Sequence, residues 1–382
     1  MRILTCIGDA TSPTTWSGTP FHLLEAARHA NFLDAGWRLD PKRLKAHRMF
    51  WNAWRRLRRG EHGGFQYSST FLSKLMKQAP PCGPNVEIVS HFPLFPPPEC
   101  GSETSYYIDA TLAQNFNEYG LASDGVVTKG IAESAMVLER RQYSAAKHIV
   151  CMSAWAARSV IETYGIDRHK VHIVPAGSNI DDHVIMPGKF TEYETFTPLR
   201  LGFLGKDWRR KNLRIVLQIA DVLQSRGIDT EVLAAGFSPL DAPHHPRLRA
   251  LGYVDKSSEL QRFVSFIRAC HFTCLFSSAE AFGISNRESL RLGVPVLARD
   301  VGGIYDTVPA GCGHLFSPEA DAGDIADVIQ SYVKHPARYR ALRAHIAAQS
   351  EEFTWATAVQ KLKSIWSGSN AYSYAQAGLA HE

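Results

Sequence analysis

Two carboxylates eight positions apart, Glu280 and Glu288, flank an apolar step with a glycine, Phe282-Gly283-Ile284. A buried strand is predicted over residues 273–277 and a helix begins after the glycine, so the amide groups around Gly283 open that helix. Free amides at a helix start attract anions. A simpler interpretation of Glu288 is a capping box with Ser285, three positions before it. Both interpretations stay open at this stage.

A basic loop precedes another helix of the same half. Residues 205–212, Gly-Lys-Asp-Trp-Arg-Arg-Lys-Asn, lie between a predicted strand at 199–204 and a helix at 213–226. Cations at a helix start oppose the helix dipole, and a bound anion would resolve that conflict. The alternative is a solvated basic turn. Because the carboxyl ends of parallel strands meet at one edge, we expect this loop to converge with residues 280–288 and with the glycine pair at 301–304.

A third loop lies near the start of the chain. Residues 16–20, Trp-Ser-Gly-Thr-Pro, follow a predicted strand at 2–7 and precede a helix. Gly18 allows close approach of the backbone to a phosphate, and the helix start favours negative charge. An ordinary loop, with Thr19 as N-cap and Pro20 in the first turn, explains the same residues.

These loops belong to two series of alternating strands and helices, which predict an α/β protein with parallel sheets covered on both faces. A chain of 382 residues exceeds one ordinary core. A polar stretch rich in proline and glycine separates the two series. The predicted organisation is an N-terminal Rossmann-like domain at 1–180, a linker at 181–198, a C-terminal Rossmann-like domain at 199–353, a helix at 354–366 that packs back onto the first domain, and a tail at 367–382.

Composition narrows the class of protein. Hydrophobic residues make up 45% and charged residues 21% of the chain, which excludes collagen-like, coiled-coil and wholly disordered proteins. Seven cysteines without a C-x-x-C pair favour a reducing cytoplasm over a disulfide frame or zinc ribbon. No apolar run approaches the roughly 20 residues of a membrane span, and the apolar start at residues 1–7 is too short for a signal peptide. We expect a cytoplasmic protein.

One segment departs from the modest net charge of +5. Residues 36–77 are strongly basic, and a helical wheel separates two sides. The basic side has Lys45, Arg48, Arg55, Arg56 and Arg59, and the other side has Met49, Phe50, Ala53, Trp54 and Leu57. Residues 41–59 thus suit peripheral contact with the inner face of an anionic membrane, or a plain surface helix packed on the sheet. No nucleic-acid module accompanies the segment, so no nucleic-acid partner is expected.

The segment Glu280-Ala-Phe-Gly-Ile-Ser-Asn-Arg-Glu288 resembles the Glu-x7-Glu signature of retaining nucleotide-sugar glycosyltransferases, the group 1 or family 4-like enzymes. The similarity continues through residues 292–296 and 301–303, and it includes residues 174–177, the 205–212 loop and Ser17-Gly18. It is thin between 35 and 130. The resemblance implies a GT-B architecture, in which two Rossmann-like domains face each other across a cleft and a C-terminal helix returns to the first domain.

The resemblance also implies roles for individual residues. Glu288 would bind the nucleotide ribose, and Glu280 would face the donor sugar. The backbone amides of Gly283, Ile284 and Ser285 would reach the sugar and the diphosphate. The remaining donor-binding candidates would lie against the phosphates: Gly18, Lys206, Arg210 and Lys211. Lys206 falls where the family usually has arginine, and lysine lacks the bidentate fork.

The N-terminal half departs from the family pattern. Many members have a histidine after a middle strand, close to the reacting sugar carbon, whereas here Tyr106-Tyr107-Ile108 ends in Asp109. Asp109 could orient the acceptor, stabilise an oxocarbenium-like centre, or cap the next turn. We therefore predict Asp109 and Glu280 as catalytic, with His91 and Thr111 as secondary candidates. The chain has no D-x-D motif, and cations with amides can stabilise the leaving diphosphate, so no metal or other cofactor is expected.

These observations predict a hexosyltransferase-type glycosyltransferase that moves a sugar from a nucleotide-diphosphate donor to a glycan, a lipid-linked acceptor or a small molecule. Retention is implied by the resemblance alone. A nucleotide-sugar epimerase or phosphorylase on the same fold is the alternative enzyme, and a basic protein docking to membrane or nucleic acid is the non-enzymatic one. Nicotinamide chemistry is disfavoured because no G-x-G-x-x-G follows either first strand.

Overall fold

The computed structural model describes residues 1–60, 63–97, 100–117, 127–185, 195–368 and 372–374. These residues form two contact units, Met1–Pro175 with Ala358–Glu382, and Ala176–Thr357. Each unit contains a parallel sheet of six strands with helices between them. The predicted α/β fold with two Rossmann-like sheets is therefore confirmed. Residues 186–194 of the predicted linker and residues 369–371 and 375–382 of the predicted tail lie outside the described residues.

The sheet of unit 1 has the order β2-β1-β3-β4-β5-β6. Its strands are β1 (Arg2–Thr5), β2 (Ala35–Gly36), β3 (Glu87–Ser90), β4 (Glu103–Ile108), β5 (Ile149–Cys151) and β6 (Val171–Ile173). Its helices are α1 (Thr19–His29), α2 (Lys45–Arg59), α3 (Ser69–Met76), α4 (Leu112–Asn117), α5 (Lys129–Ala145) and α6 (Ala154–Glu162). Register pairs Thr5 with Ser90 and Ser90 with Tyr106. The loops after β1, β3 and β4 consequently leave the sheet at the same edge.

The sheet of unit 2 has the order β12-β11-β10-β7-β8-β9. Its strands are β7 (Leu199–Leu204), β8 (Thr230–Ala235), β9 (Leu248–Ala250), β10 (Phe272–Leu275), β11 (Val296–Arg299) and β12 (Gly313–Phe316). Its helices are α7 (Leu213–Ser225), α8 (Leu260–Arg268), α9 (Ile284–Arg291), α10 (Ala322–Lys334) and α11 (Pro336–Ala348). Strands β10 and β7 are direct neighbours, pairing Cys274 with Phe203. The loops at 205–212 and 276–283 therefore emerge side by side.

Two sequence patterns account for the core of unit 2. The central strands β7 and β10 read as nearly continuous apolar runs because helices cover both faces of the sheet. Helix α7 instead repeats apolar residues at helical spacing and buries Val216, Ile219, Ala220 and Leu223 completely. Both elements enter one cluster of buried side chains. This cluster fixes the strand ends from which the polar loops project.

The last helix, α12 (Trp355–Trp366), begins in unit 2, and its residues from Ala358 onward belong to unit 1. In unit 1 its final turn is tied to the sheet. The Lys363 ammonium donates to the Ala30 carbonyl at 2.7 Å, and the Trp366 ring lies 5.1 Å from the Phe32 ring. No helix of the described residues is both long enough and apolar enough to cross a bilayer.

A buried carboxyl group supports the start of α4. Glu139 on α5 is fully buried and accepts hydrogen bonds from the Leu112 amide at 3.0 Å and from the Tyr143 hydroxyl at 2.8 Å. The Tyr164 hydroxyl also donates to it. Burial raises the pKa of Glu139 to about 7, although these donors oppose the shift. The folded protein therefore binds a proton at Glu139 more tightly than the unfolded chain does.

Replacing Glu139 by glutamine is expected to flatten the dependence of stability on pH. Because folding raises the pKa of Glu139, its protonated carboxyl group contributes on the order of 3 kcal/mol to the free energy of unfolding. This contribution is fully present below about pH 4.5 and is lost as the pH rises through about 7. Melting curves of both proteins between pH 5 and 8 measure the effect. Parallel curves for wild type and Glu139→Gln would contradict the assignment.

Candidate active site

A cluster of opposite charges lies where β7 and β10 end. The Glu280 carboxylate oxygen Oε2 is 3.4 Å from Arg210 Nη1 and 3.5 Å from Lys211 Nζ. It also accepts a hydrogen bond from the Ser277 hydroxyl at 3.1 Å. Arg210 Nη1 donates to the Ala279 carbonyl at 2.6 Å. The basic loop and the loop carrying Glu280 are thus held together by charge-assisted hydrogen bonds.

Lys211 reaches this cluster across a glycine. A Cβ atom at Gly205 would lie 2.4 Å from Lys211 Cδ, so only glycine leaves room for the lysine stem to cross the end of β7. The turn itself is closed by Asp207, whose carboxylate accepts from the Arg210 amide at 3.1 Å. The Lys211 side chain is largely buried, with 16% of its surface exposed. Its ammonium group is therefore positioned by the backbone of the loop.

The second carboxylate, Glu288, has a partner that sequence reasoning missed. Its side chain is 4% exposed, and its Oε1 accepts from the Lys256 ammonium at 2.5 Å. Lys256 also lies over the Phe263 ring, 5.5 Å from its centroid. Nothing in the sequence relates positions 256 and 288. The contact forms because the loop between β9 and α8 reaches α9 in the folded unit, although β9 and β10 are not neighbours in the sheet. A lone lysine in a polar loop carries no signal of this contact.

Electrostatics connect the two carboxylates. Burial raises the pKa of Glu288, and the ammonium groups of Lys256 and Lys211 act against that shift. Lys211 is therefore close enough to influence Glu288 while it pairs with Glu280. The two carboxylates therefore share one site with Lys211 and Arg210.

The start of α9 is open. Its N-cap is Gly283, with a φ of 80° and no side-chain cap hydrogen bond. In the described part of the chain, no acceptor is recorded for the amides of Ile284 and Ser285. The predicted capping box of Ser285 and Glu288 is wrong, because the N-cap is Gly283, Ser285 already lies inside the helix, and the Glu288 carboxylate accepts from Lys256 instead. Uncapped amides at a helix start are suited to bind an anion.

The glycine pair after β11 braces this loop. A Cβ atom at Gly302 would lie 1.9 Å from the Glu280 carbonyl oxygen, so the close contact requires glycine. The neighbouring Gly303 amide donates to that same carbonyl at 3.3 Å. Three loops, after β7, β10 and β11, therefore meet at one edge of the sheet.

Lys206 points elsewhere. Its ammonium group lies 5.2 Å from the centroid of the Tyr253 ring, a cation–π contact on the side of β8 and β9. The structure records no ion pair between Lys206 and either carboxylate among the described residues. Of the predicted donor-binding cations, Arg210 and Lys211 join the cluster and Lys206 does not.

In unit 1 the loop after β1 has an unusual backbone. Trp16, Ser17 and Gly18 have φ values of 48°, 59° and 92°, a left-handed turn that non-glycine residues rarely adopt. Trp16 Nε1 donates to the Ile7 carbonyl at 3.1 Å and helps to hold this turn. Gly18, not Thr19, is the N-cap of α1, so Thr19 is already the first helical residue. Strain of this kind is retained where the surrounding structure enforces it, often at functional sites.

His91, directly after β3, lies beside this loop. Its ring centroid is 6.2 Å from that of Trp16, and its Nδ1 is 2.6 Å from the Tyr107 carbonyl oxygen. Because a carbonyl only accepts, Nδ1 carries the proton and Nε2 is an acceptor. Nε2 is buried, and no hydrogen-bond partner for it is found among the described residues. Burial lowers the pKa of His91 to about 4, so the ring is neutral at physiological pH.

Asp109 and Thr111 follow the neighbouring strand β4. Asp109 is partly buried at the edge where the loops after β1 and β3 also emerge. Thr111 is fully buried, and its hydroxyl lies 2.8 Å from that of Ser159 and 3.2 Å from Gln114 Oε1. Those bonds give Thr111 a structural reason to be present. Within the described ranges, no group of three or more His, Cys, Asp or Glu side chains is arranged to hold a metal.

Replacing Lys256 by methionine is expected to lower the free energy of unfolding by about 2 kcal/mol, because Glu288 is left buried without its cation. Adding Glu288→Gln to this variant should recover at least half of the loss. The matched control is Arg262→Met, which removes a 2.6 Å ion pair between exposed side chains and should cost less than about 0.5 kcal/mol. Urea unfolding measures all four proteins, and equal losses for the two single variants would contradict the assignment.

Comparison with known proteins agrees with this geometry. Residues 197–352 match the family model "Glycosyl transferases group 1". A D-inositol 3-phosphate glycosyltransferase of Catenulispora acidiphila is 27% identical over 280 residues, which are 67% of this chain and 66% of the relative. Across this and two other curated relatives, the aligned part spans between 55% and 66% of their length.

Solved structures extend the likeness to nearly the whole fold. Sucrose-phosphate synthase from Thermosynechococcus elongatus superposes with a TM-score of 0.64 at 15% identity, covering 96% of this chain and 98% of that structure. Anabaena Alr3699/HepE, solved with UDP-glucose, superposes with a TM-score of 0.63 at 15% identity, covering 97% and 100%. Residues 197–352 thus match the group 1 glycosyltransferases in sequence, and the fold of the chain is similar to that of solved GT-B glycosyltransferases.

Proposed function

We propose that the protein transfers a sugar from a nucleoside diphosphate sugar to the hydroxyl group of an acceptor, as a hexosyltransferase. The observation that carries the proposal is the site of unit 2, where Arg210 and Lys211, two carboxylates and an open helix start share one sheet edge. A diphosphate suits the cations and amides, and vicinal ribose hydroxyls suit a carboxylate acceptor. The HepE structure, which holds UDP-glucose, supports this class of donor.

In this proposal, the bond between the sugar carbon and the diphosphate oxygen breaks while a bond to the acceptor oxygen forms. Negative charge develops on the departing diphosphate, and an oxygen of that diphosphate takes the proton of the acceptor hydroxyl. The Lys211 ammonium and the amides of Ile284 and Ser285 would stabilise that charge because they are in place before the reaction. Since the cations of the chain fulfil this need, we propose transfer without a metal or other cofactor, and with retention at the sugar carbon.

Glu280 and Glu288 then differ in function through their surroundings. Glu288 is buried beside a single cation and would accept from the ribose hydroxyls, which can replace Lys256 as donors. Glu280 is paired with both Arg210 and Lys211, so a diphosphate that draws these cations away would free its carboxylate for the sugar hydroxyls. In this proposal, the ion pairs of Glu280 and Glu288 exchange for contacts with the donor.

Unit 1 would supply the groups around the acceptor. Asp109 is proposed to stabilise positive charge at the sugar carbon, and the loop with Gly18 to approach the phosphates. His91 is neutral and presents an acceptor nitrogen, so it would accept a hydrogen bond from a hydroxyl group and not bind an anion. The acceptor itself is proposed to be a glycan, a lipid-linked molecule or a small molecule.

A cytoplasmic location is part of the proposal. All seven cysteines are unpaired, and five of them are buried. A chain with this many free thiols suits a reducing compartment.

The test of donor binding is a thermal-shift panel of nucleoside mono- and diphosphates and their sugars. At least one diphosphate should raise the melting temperature, and its monophosphate should raise it less because the second phosphate meets the cations. Glu288→Ala should lower the affinity for that diphosphate by about tenfold or more, because a charged hydrogen bond is lost. The control variant Glu259→Ala, at an exposed side chain, should bind the diphosphate like wild type. No shift from any nucleotide would overturn the proposal.

Replacing Asp109 by alanine is expected to reduce turnover strongly, by about 100-fold, while donor affinity stays within about twofold. Release of nucleoside diphosphate, measured with and without acceptor, gives the rate. Calorimetry with the diphosphate gives the affinity. Unchanged turnover would remove Asp109 from the mechanism, and release that never depends on an acceptor would indicate a different enzyme class.

A further inference from the structure

Helix α2 exposes its apolar face to solvent. Four large apolar side chains of this one helix are exposed by 51% to 88%: Met49, Phe50, Trp54 and Leu57. With 3.6 residues per turn, these positions and Ala53 fall on one face about 140° wide. A contiguous apolar surface of this kind marks an interaction site more often than chance exposure.

The opposite face of α2 packs onto unit 1 with a charged residue. Arg55 is 8% exposed, its Nη2 donates to the Thr128 hydroxyl at 3.2 Å, and its guanidinium lies 4.8 Å from the centroid of the Trp51 ring. Asn52, on the same side, accepts from the Gly63 amide at 3.2 Å. The helix is thus anchored by polar contacts. Trp51 adds an apolar contact on this side, with its ring centroid 5.6 Å from that of Phe65. The four large apolar side chains of the exposed face lie on the other side of the helix.

Positive charge borders the apolar face on both sides. Lys45 and Arg56 lie along one flank, and Arg58 lies along the other, with its guanidinium 5.7 Å from the centroid of the Trp54 ring. Residues 41–60 contain eight lysines and arginines and no acidic residue. This segment is more positive than the whole chain, whose net charge is +5, so the rest of the protein is net acidic.

A cavity of about 250 Å³ opens beside the start of α2. Apolar side chains and cations both line it, among them Ile7, Leu44, Phe71, Lys42, Lys45 and Arg48. Ile7 follows β1, so the cavity lies at the carboxyl edge of the sheet, where the loops after β1, β3 and β4 emerge. The combination of apolar lining and cations suits an amphiphile with an anionic head group.

We propose that α2 docks unit 1 onto a lipid bilayer rich in anionic phospholipids. Met49, Phe50, Trp54 and Leu57 would enter the boundary between head groups and acyl chains, and the flanking lysines and arginines would pair with lipid phosphates. Long basic side chains can extend toward phosphates while their stems stay in the apolar layer. The cavity then faces acceptors that are themselves held in the bilayer. The docking surface stands independently of sugar transfer, because it uses none of the proposed donor-binding residues.

Other occupants fit the charges less well. A second copy of this chain would bring the same cations face to face, and like charges at an apolar contact are unfavourable. Nucleic acid would satisfy the cations but leave the aliphatic side chains Met49 and Leu57 in water. An anionic bilayer satisfies both the charge and the apolar surface.

The test is co-sedimentation of the full chain with vesicles of phosphatidylcholine alone and of phosphatidylcholine mixed with phosphatidylglycerol. Wild type should bind the mixed vesicles, bind phosphatidylcholine at least about tenfold more weakly, and lose affinity as salt rises. Phe50→Glu/Leu57→Glu should reduce binding to mixed vesicles by at least about tenfold. The matched control is Leu240→Glu, at a leucine of unit 2 that is 96% exposed, and it should bind like wild type.

Phe50, Leu57 and Leu240 are all at the surface, so circular dichroism spectra and melting temperatures of the variants should match those of wild type. A loss of vesicle binding can then be assigned to docking and not to misfolding. Arg56→Gln/Arg58→Gln should weaken binding and reduce its salt dependence. Equal binding of wild type and Phe50→Glu/Leu57→Glu, or no preference for anionic vesicles, would overturn the proposal. So would a dimer in the absence of lipid that Leu57→Glu dissociates, or tight RNA binding without vesicle binding. Nucleotide affinity of the docking variants should remain at the wild-type value, whatever the outcome for sugar transfer.

Discussion

Compensation of buried charge is the constraint on which the site of unit 2 depends. Glu288 is taken almost entirely out of water, and Glu280 nearly so, which is unfavourable unless each carboxylate meets a cation. Lys256, Lys211 and Arg210 meet that requirement without a ligand. In the proposed function, the phosphates and hydroxyls of a nucleotide sugar would take over these contacts.

The parallel sheet makes that compensation possible. Strands β7, β10 and β11 end at one edge, so loops separated by tens of residues meet there. Glycines at 205 and 302 remove the side chains that would keep these loops apart. The same rule operates in unit 1, where the loops after β1, β3 and β4 gather Gly18, His91 and Asp109 at one edge. The candidate functional residues lie in the loops that follow strands, and the helices and the core keep the ends of those strands aligned.

Helix α2 follows a different rule. Arg55 and Trp51 hold the helix on unit 1 through the Thr128 hydroxyl, their own cation–π contact and the Phe65 ring, so the other large apolar residues of the helix remain exposed. Those residues are left for a surface outside the chain. A protein that handled only water-soluble ligands would gain nothing from this arrangement, since exposed apolar surface favours aggregation. The proposed docking of α2 would bring unit 1 to acceptors held in a membrane.

The sequence by itself determined the α/β class, the two sheets and the central strands, because runs of apolar residues and helical periods are local properties. It also indicated residues 205–212 and 280–288, since cations at a helix start and a glycine step are visible in the chain. Short edge strands such as β9 and β12 were not predicted from the sequence, because they have little apolar pattern of their own. Only the tertiary structure decided that Glu288 pairs with Lys256, that Lys206 turns to Tyr253, and that α2 presents its apolar face to solvent. Each of these depends on which groups distant in sequence lie close enough to satisfy a buried charge, and that is set by the packing of the whole unit.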